Sequence, residues 1–380
     1  MLDLSRRTAF SDDHHLFRDQ VRKFFARELE PHLERWEAQG EIDKGFWRKA
    51  GEAGLLCANV PERYGGLGLD FGYNAVIDEE LGYAGSSAGI GLHSDIVAPY
   101  ILAYGSEELK ARWLPRMISG ETPTAIAMTE PGAGSDLQGI RTTAIREGDD
   151  YVVNGSKTYI TNGQHAELVI VVAKTDPGEG AKGTSLILVE ADRPGYARGR
   201  NLDKIGLHGQ DTSELFFQDV RVPAGNLLGQ EGMGFAYLMN QLPQERLGIA
   251  IGAQASAQRA FDEAVAFTKQ RQAFGRPVFQ FQNTRFTLAD LKAKLQVGWA
   301  HLDWALARHM EGKLTADEAS AAKLWHTDLQ WEVCDASLQL HGGAGYMNEY
   351  LIARLWRDAR VTRIFGGTNE IMKEVIARAI

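Results

Sequence analysis

Thr124-Ala-Ile-Ala-Met128 opens the stretch that decides the fold, followed by Tyr151-Val-Val153, Lys157 to Ile160, Leu168 to Ala173, Ser185 to Val189 and Glu214 to Phe217. These short runs are rich in β-branched and aromatic residues, which fit a pleated, half-buried surface. Turn chemistry separates them: Asn154-Gly155, Asn162-Gly163, Asp176-Pro177-Gly178 and Arg193-Pro194-Gly195. No helical pattern intervenes, so the spacing predicts an antiparallel sandwich or barrel rather than βαβ units.

On either side the period is helical. Phe17, Val21, Phe24 and Phe25 share one face of a helix that Ser11 or Asp12 can cap. Tyr73 to Leu81 repeats the pattern more weakly. Ser106 to Gly120 has a capping Ser, a terminal Gly, and Leu109, Trp113 and Met117 on one face. After Pro223 the helical period persists in long segments near 234–269, 280–310 and 315–340, which implies a bundle. The expected fold is a multidomain α+β chain: an N-terminal α-helical domain (1–121), a middle antiparallel β-sandwich or barrel (122–226) and a C-terminal four-helix bundle (227–380).

Composition agrees. The 380 residues are 44% hydrophobic and 24% charged, which excludes wholesale disorder. At about 150 residues per domain, two or three domains follow. The net charge of −9 argues against a nucleic-acid or polybasic membrane partner, since either needs a positive face. Two cysteines, Cys57 and Cys334, are too few for a disulfide framework and suit a reducing compartment. The longest apolar run, Leu168 to Ala173, is far short of the roughly 18 residues of a membrane span. Ser5-Arg6-Arg7 faintly resembles a twin-arginine signal, but no apolar region follows, so a cytoplasmic setting is expected. The ten histidines show no metal-binding spacing, and neither a G-x-S-x-G elbow nor a Walker A loop is present.

Three glycine-rich segments remain. Thr129-Glu-Pro-Gly-Ala-Gly-Ser-Asp136 starts like a dinucleotide fingerprint but has Leu137 at the third glycine position and lies among strands, so it fails as one. Its backbone can still approach a ligand closely. Gln339-Leu-His-Gly-Gly-Ala-Gly345 follows a long helix. Phe365-Gly-Gly-Thr-Asn-Glu370 precedes the last helix, with Thr368 or Asn369 at its N-cap, where backbone donors favour an anionic or polar ligand.

Together these segments resemble one family. Ala127-Met-Thr-Glu-Pro-Gly-Ala-Gly-Ser-Asp136, Tyr159-Ile-Thr-Asn-Gly163, Arg271-Gln-Ala-Phe-Gly275, Gln339-Leu-His-Gly-Gly343 and Ile364-Phe-Gly-Gly-Thr-Asn-Glu370 are similar to the motifs of acyl-CoA dehydrogenases, in the family's order and across nearly the whole chain. The resemblance implies FAD bound between the middle sheet and the C-terminal bundle of a homotetramer (a dimer of dimers), completed by a neighbouring subunit. By similarity, Met128, Thr129, Ser135, Tyr159 and Thr161 meet the flavin from one subunit, with Thr368 and Glu370 as further contacts. Arg271, Phe274, Gln282, Gln339 and Gly343 reach it across the interface. Arginine suits a pyrophosphate because its planar fork makes paired, charge-assisted bonds. Ser135, Ala181, Lys182 and Arg246, with Gly366 and Gly367, match positions that hold the substrate.

The family resemblance also locates the base. Medium- and short-chain members carry a glutamate where this chain has Gly366. In long-chain and isovaleryl types the glutamate precedes a substrate-contacting arginine, and Pro243-Gln-Glu-Arg-Leu247 supplies Glu245 in that place. Pro243 should kink or restart a helix and set Glu245 near a first turn, where the amide dipole favours the carboxylate. An apolar pocket raises its pKa. The tail from Gly366 to Glu374 looks most like the long-chain type. The implied reaction is α,β-dehydrogenation of an acyl-CoA to the trans-2-enoyl-CoA, on medium, long or branched chains. Glu245 takes the α-proton, the β-hydride passes to the flavin, and the Gly366 N–H with an FAD ribityl hydroxyl supports the thioester oxygen. An electron-transfer flavoprotein is the implied acceptor. An O₂-using flavin oxidase and a silent acyl-CoA-binding scaffold are the rival readings.

Overall fold

The computed structural model describes residues 7–380. Ser5 and Arg6 of the rejected export signal lie outside them. The N-terminal layer comprises α1 (Asp12–Glu28), α2 (Leu33–Gln39), α3 (Lys44–Glu52) and α4 (Phe71–Tyr83). A π-helical segment, Leu92–Val97, then runs into α5 (Ala98–Tyr104), and α6 (Glu107–Ile118) follows. Ser11 caps α1 and Ser106 caps α6, as their sequence positions predict. His14 is buried and completes the α1 capping box.

The middle of the chain forms one sheet from β1 (Thr124–Ala127), β2 (Thr143–Glu147), β3 (Asp150–Thr161), β4 (Leu168–Lys174), β5 (Thr184–Glu190), β6 (Tyr196–Asn201) and β7 (Thr212–Pro223). Its order is β1-β4-β2-β3-β7-β6, with β5 on the other pairing edge of β4. Two features correct the sequence reading. First, the sheet is not wholly antiparallel: β1 runs parallel to β4, and β2 joins β4 in parallel at the single pair Thr143–Lys174. Strand composition carries no direction, which is set by the connection between strands. Second, Asn154-Gly155 is not a turn but a bulge inside β3, where the register to β7 shifts. Gly155 has φ +150°, and a Cβ there would meet Thr142 Oγ1 at 2.4 Å. Asn154 exchanges hydrogen bonds with Asp219 across the strands instead of closing a hairpin.

Helices return with α7 (Gly234–Gln270), a short hairpin of β8 (Gln272–Ala273) and β9 (Arg276–Pro277), then α8 (Gln282–Met310), α9 (Ala316–His341), α10 (Leu351–Thr362) and α11 (Asn369–Ala377). Thr368 is the N-cap of α11. A third correction concerns α7, which runs through Pro243 without a break, so Glu245 sits in a helix interior and not at a first turn. Tertiary packing overrides the local penalty of proline. Apolar residues gather in three clusters: one shared by the N-terminal helices, one sheet face and α7, one on the other sheet face, and one inside the C-terminal bundle. The shared cluster fixes α4, the π-helical segment and α7 against one another, and the site lies between them.

Candidate active site

Glu245 is 7% exposed, and Tyr100 of α5 donates its hydroxyl to Oε1 at 2.9 Å. Burial pushes its carboxyl up to about 7, against the opposing pull of the Tyr100 hydrogen bond and the Arg246 charge. That value suits a base working near neutrality. The carboxyl faces a cavity of about 230 Å³. One stripe of α7 forms a wall: Glu245, Gly248, Ile249, Gly252, Ala253 and Ser256. Leu81 and Gly82 of α4, Leu92 and Ile96 of the π-helical segment, Leu207 and Phe365 complete much of the rest. A π-helical turn re-aims side chains out of α-helical phase, and such segments recur at functional sites.

The Gly366-Gly367 loop closes beside this stripe. Both glycines have positive φ, +64° and +91°. A Cβ at Gly366 would fall 2.3 Å from Ile249 Cδ1. Ile249, one turn beyond Glu245, therefore fills the space that a side chain at Gly366 would need. Lys323 of α9, fully buried, donates to Gly367 O and to Asn369 Oδ1, both at 2.8 Å, which holds the loop. No backbone acceptor takes the N–H of Gly366 or Gly367 among the described residues. Arg246 is buried, gives Nη1 to the Ser320 hydroxyl at 3.0 Å, and lies against Gly367 rather than in the cavity wall.

The remaining candidate residues separate into two groups. Met128 and Thr129 are tied to β3, since Lys157 Nζ donates to Met128 O and Thr158 N to Thr129 O, each at 2.9 Å. Tyr159 and Thr161 lie on that strand, and the Tyr159 ring is exposed at φ +60°. Glu130 organises the loop that carries Ser135: its carboxylate accepts from Arg141 N, Thr142 N and Lys157 Nζ. Ala181 and Lys182 sit in the 3₁₀ turn before β5, where Lys182 is exposed. The second group gathers at one end of the bundle. Phe267, one turn before Arg271, stacks on His341 at 4.3 Å, which ties the end of α7 leading into the β8–β9 hairpin to the end of α9 that carries Gln339. Phe274 at the hairpin tip is 96% exposed, and Gln282 opens α8. No hydrogen bond links the two groups among the described residues.

The donor set fits a large planar cofactor with a diphosphate. Gly132, Gly134, Gly342 and Gly343 have nothing within 4 Å of where a Cβ would stand, so bare backbone faces outward on both groups. Arg271 has no ion-pair partner among the described residues, and the Tyr159 and Phe274 rings lie open.

Comparison with known proteins is decisive. The acyl-CoA dehydrogenase N-terminal, middle and C-terminal domain models match residues 11–121, 125–220 and 232–380. The long-chain specific acyl-CoA dehydrogenase of Sus scrofa is 50% identical over 100% of this chain and 89% of its own. The chain belongs to the acyl-CoA dehydrogenase family. An acyl-CoA dehydrogenase structure from Geobacillus kaustophilus superposes with TM-score 0.97 at 53% identity, covering 98% of this chain and 99% of that one. A glutaryl-CoA dehydrogenase from Mycobacterium smegmatis, solved with FADH2, gives TM-score 0.93 at 28% identity over 99% and 96%. Within this acyl-CoA dehydrogenase, sequence reasoning missed Tyr100, Ile249, Lys323 and Glu130. Only Glu130 carried a signal, its place in the glycine-rich loop.

Proposed function

We propose that this enzyme binds FAD and dehydrogenates medium-, long- or branched-chain acyl-CoA at Cα–Cβ, with Glu245 as the base. The observation that carries the reading is a buried carboxyl pushed up to about 7 at the wall of a largely apolar cavity. The stripe from Glu245 to Ser256 spans ~16 Å of α7. At roughly 1.2 Å per bond of an extended chain, that accommodates about a dozen carbons. Gly248 and Gly252 keep the wall low along this length.

When bound, FAD would supply an acceptor for the β-hydrogen and its electron pair. The protein does the rest. Tyr100 orients the Glu245 carboxylate and stabilises its charged form, the Gly366 N–H is directed at the thioester oxygen where charge develops, and Lys323 keeps that loop in place. Met128, Thr129, Ser135, Tyr159, Thr161, Thr368 and Glu370 hold FAD from one subunit. Arg271, Phe274, Gln282, Gln339 and Gly343 of a neighbouring copy complete the site, which requires at least a dimer, and a homotetramer built as a dimer of dimers is the assembly this reading takes. Ser135, Ala181, Lys182, Arg246 and Gly367 serve the CoA thioester arm. Electrons leave to an electron-transfer flavoprotein, and two free, buried cysteines fit a reducing, cytoplasmic setting.

Anaerobic mixing of the yellow holoenzyme with acyl-CoAs of graded length and branching tests this. Bleaching of the flavin by chains of eight or more carbons, with slow reoxidation in air, is the expected result. Bound FAD that no acyl-CoA bleaches would reduce the protein to a silent scaffold.

A further inference from the structure

The cavity wall carries three carboxyls that the reaction does not use, and one of them, Asp358, accepts from the Leu207 N–H. Asp78 of α4 and Asp95 of the π-helical segment both line it. Their oxygens converge on the bare backbone of Gly91: a Cβ there would lie 3.0 Å from Asp78 Oδ1 and 3.5 Å from Asp95 Oδ2. By the same measure Asp78 Oδ2 stands 3.4 Å from Gly248, the α7 residue one turn beyond Glu245. Asn74 donates to Asp95 Oδ1, but the only hydrogen-bond partner of Asp78 among the described residues is Asp95 itself. No Lys, Arg or His lines the cavity. The nearby arginines are spent elsewhere, Arg7 and Arg18 on Glu79.

Two carboxylates this close, without a cation, do not both ionise in a low-dielectric site. Burial first, then the charge of Asp95, holds Asp78 well above the usual carboxylate range, and burial pushes Asp95 up to about 7. The pair therefore keeps a proton at neutral pH. That proton is held between Asp78 and Asp95, and the remaining carboxyl oxygens face, as acceptors, a cavity that is otherwise largely apolar. A plain hydrocarbon passing this point leaves those groups unpaired, at a cost.

We propose that Asp78, backed by Asp95, determines acyl specificity by hydrogen-bonding a hydroxyl group carried on the acyl chain. The inference rests on the acyl-CoA reading of the cavity given above. A hydroxyl matches the pair because it donates to a carboxyl oxygen that the proton held between Asp78 and Asp95 leaves free. Gly248 follows Glu245 by three residues, ~4.5 Å along the helix. At roughly 1.2 Å per bond that distance is three or four bonds past the α-carbon, so the hydroxyl belongs on C5 or C6.

The test compares wild type, Asp78→Asn and Asp78→Leu as FAD-loaded enzymes with dodecanoyl-CoA and its 5-hydroxy and 6-hydroxy derivatives. It reads kcat/KM and, anaerobically, Kd from the flavin spectrum. Wild type should favour one hydroxy ester over dodecanoyl-CoA by about tenfold, the yield of one well-made hydrogen bond and its avoided orphan. Asp78→Leu should abolish or reverse that ratio, and Asp78→Asn should weaken it. If Asp78→Leu loses FAD or unfolds, the Asn variant carries the comparison. An equal ratio in all three proteins overturns the proposal. If no ester bleaches wild-type flavin, the dehydrogenase reading fails separately. The Kd ratios then decide the role of the pair: a hydroxyl preference lost in Asp78→Asn supports it, and no preference refutes it.

Discussion

Replacing Glu245 by Gln separates what the carboxyl does for catalysis from what it costs the fold. Gln keeps the size of the side chain and an oxygen for the Tyr100 hydroxyl, now 2.9 Å from Oε1, but cannot take a proton. Flavin reduction by acyl-CoA should fall by at least about 10²-fold, the lower end of what a positioned base supplies. Stability should move the other way. A carboxyl raised from 4.5 to about 7 in the folded protein binds its proton more tightly there than in the unfolded chain. Its contribution is therefore fully present below about 4.5 and lost as pH rises through about 7, a loss of about 3 kcal/mol. The Gln variant has no charge to bury, so it should gain on wild type by up to that amount at pH 8 and show little difference at pH 4.5. Stopped-flow reduction and denaturant unfolding at the two pH values, on the same preparations, give both readings. In wild type the reduction rate should also climb with pH and level off above about 7, as the base ionises. A near wild-type rate in Glu245→Gln would place the base elsewhere. A variant less stable than wild type at pH 8 would refute the claim that burial raises this carboxyl.

Further predictions concern the residues around it. Tyr100→Phe removes the bond that favours the charged carboxylate, so the acid limb of the pH–rate profile should shift upward, with activity several-fold lower at pH 7 and recovered at higher pH. In the Glu245→Gln background, Gly366→Glu alone should not restore turnover, because its Cβ meets Ile249 Cδ1 at 2.3 Å and φ is +64°. Adding Ile249→Ala should open that space and recover part of the rate in stopped-flow assays. Full rescue without the Ile249 change would contradict the packing described here. Arg271→Ala should lose FAD absorbance and weaken the oligomer together in size-exclusion runs, because ligand and assembly stabilise each other by mass action. A stable monomer with full FAD would sink the shared-site reading.

The sequence by itself determined the α–β–α order, the cap at Ser106, those at Ser11 and Thr368 to within one residue, and the glycine-rich loops, because each of these is a local pattern of period or turn chemistry. It also pointed to Glu245, through a motif of neighbouring residues. Local signals misjudged the surroundings of that glutamate. Pro243 predicted a kink or restart, yet α7, packed against α4 and α9, continues through it without a break. Asn154-Gly155 predicted a turn, yet Thr142 and Asp219, brought in by β2 and β7, make it a bulge. The partners that give the site its chemistry are distant in the chain: Tyr100 is 145 residues from Glu245, and Lys323 is 44 from Gly367. Asp78 and Asp95 meet only because a helix and a π-helical turn pack against the same stripe of α7. A carboxyl's proton affinity depends on burial and on neighbours within a few ångströms, and neither is written in the residues beside it.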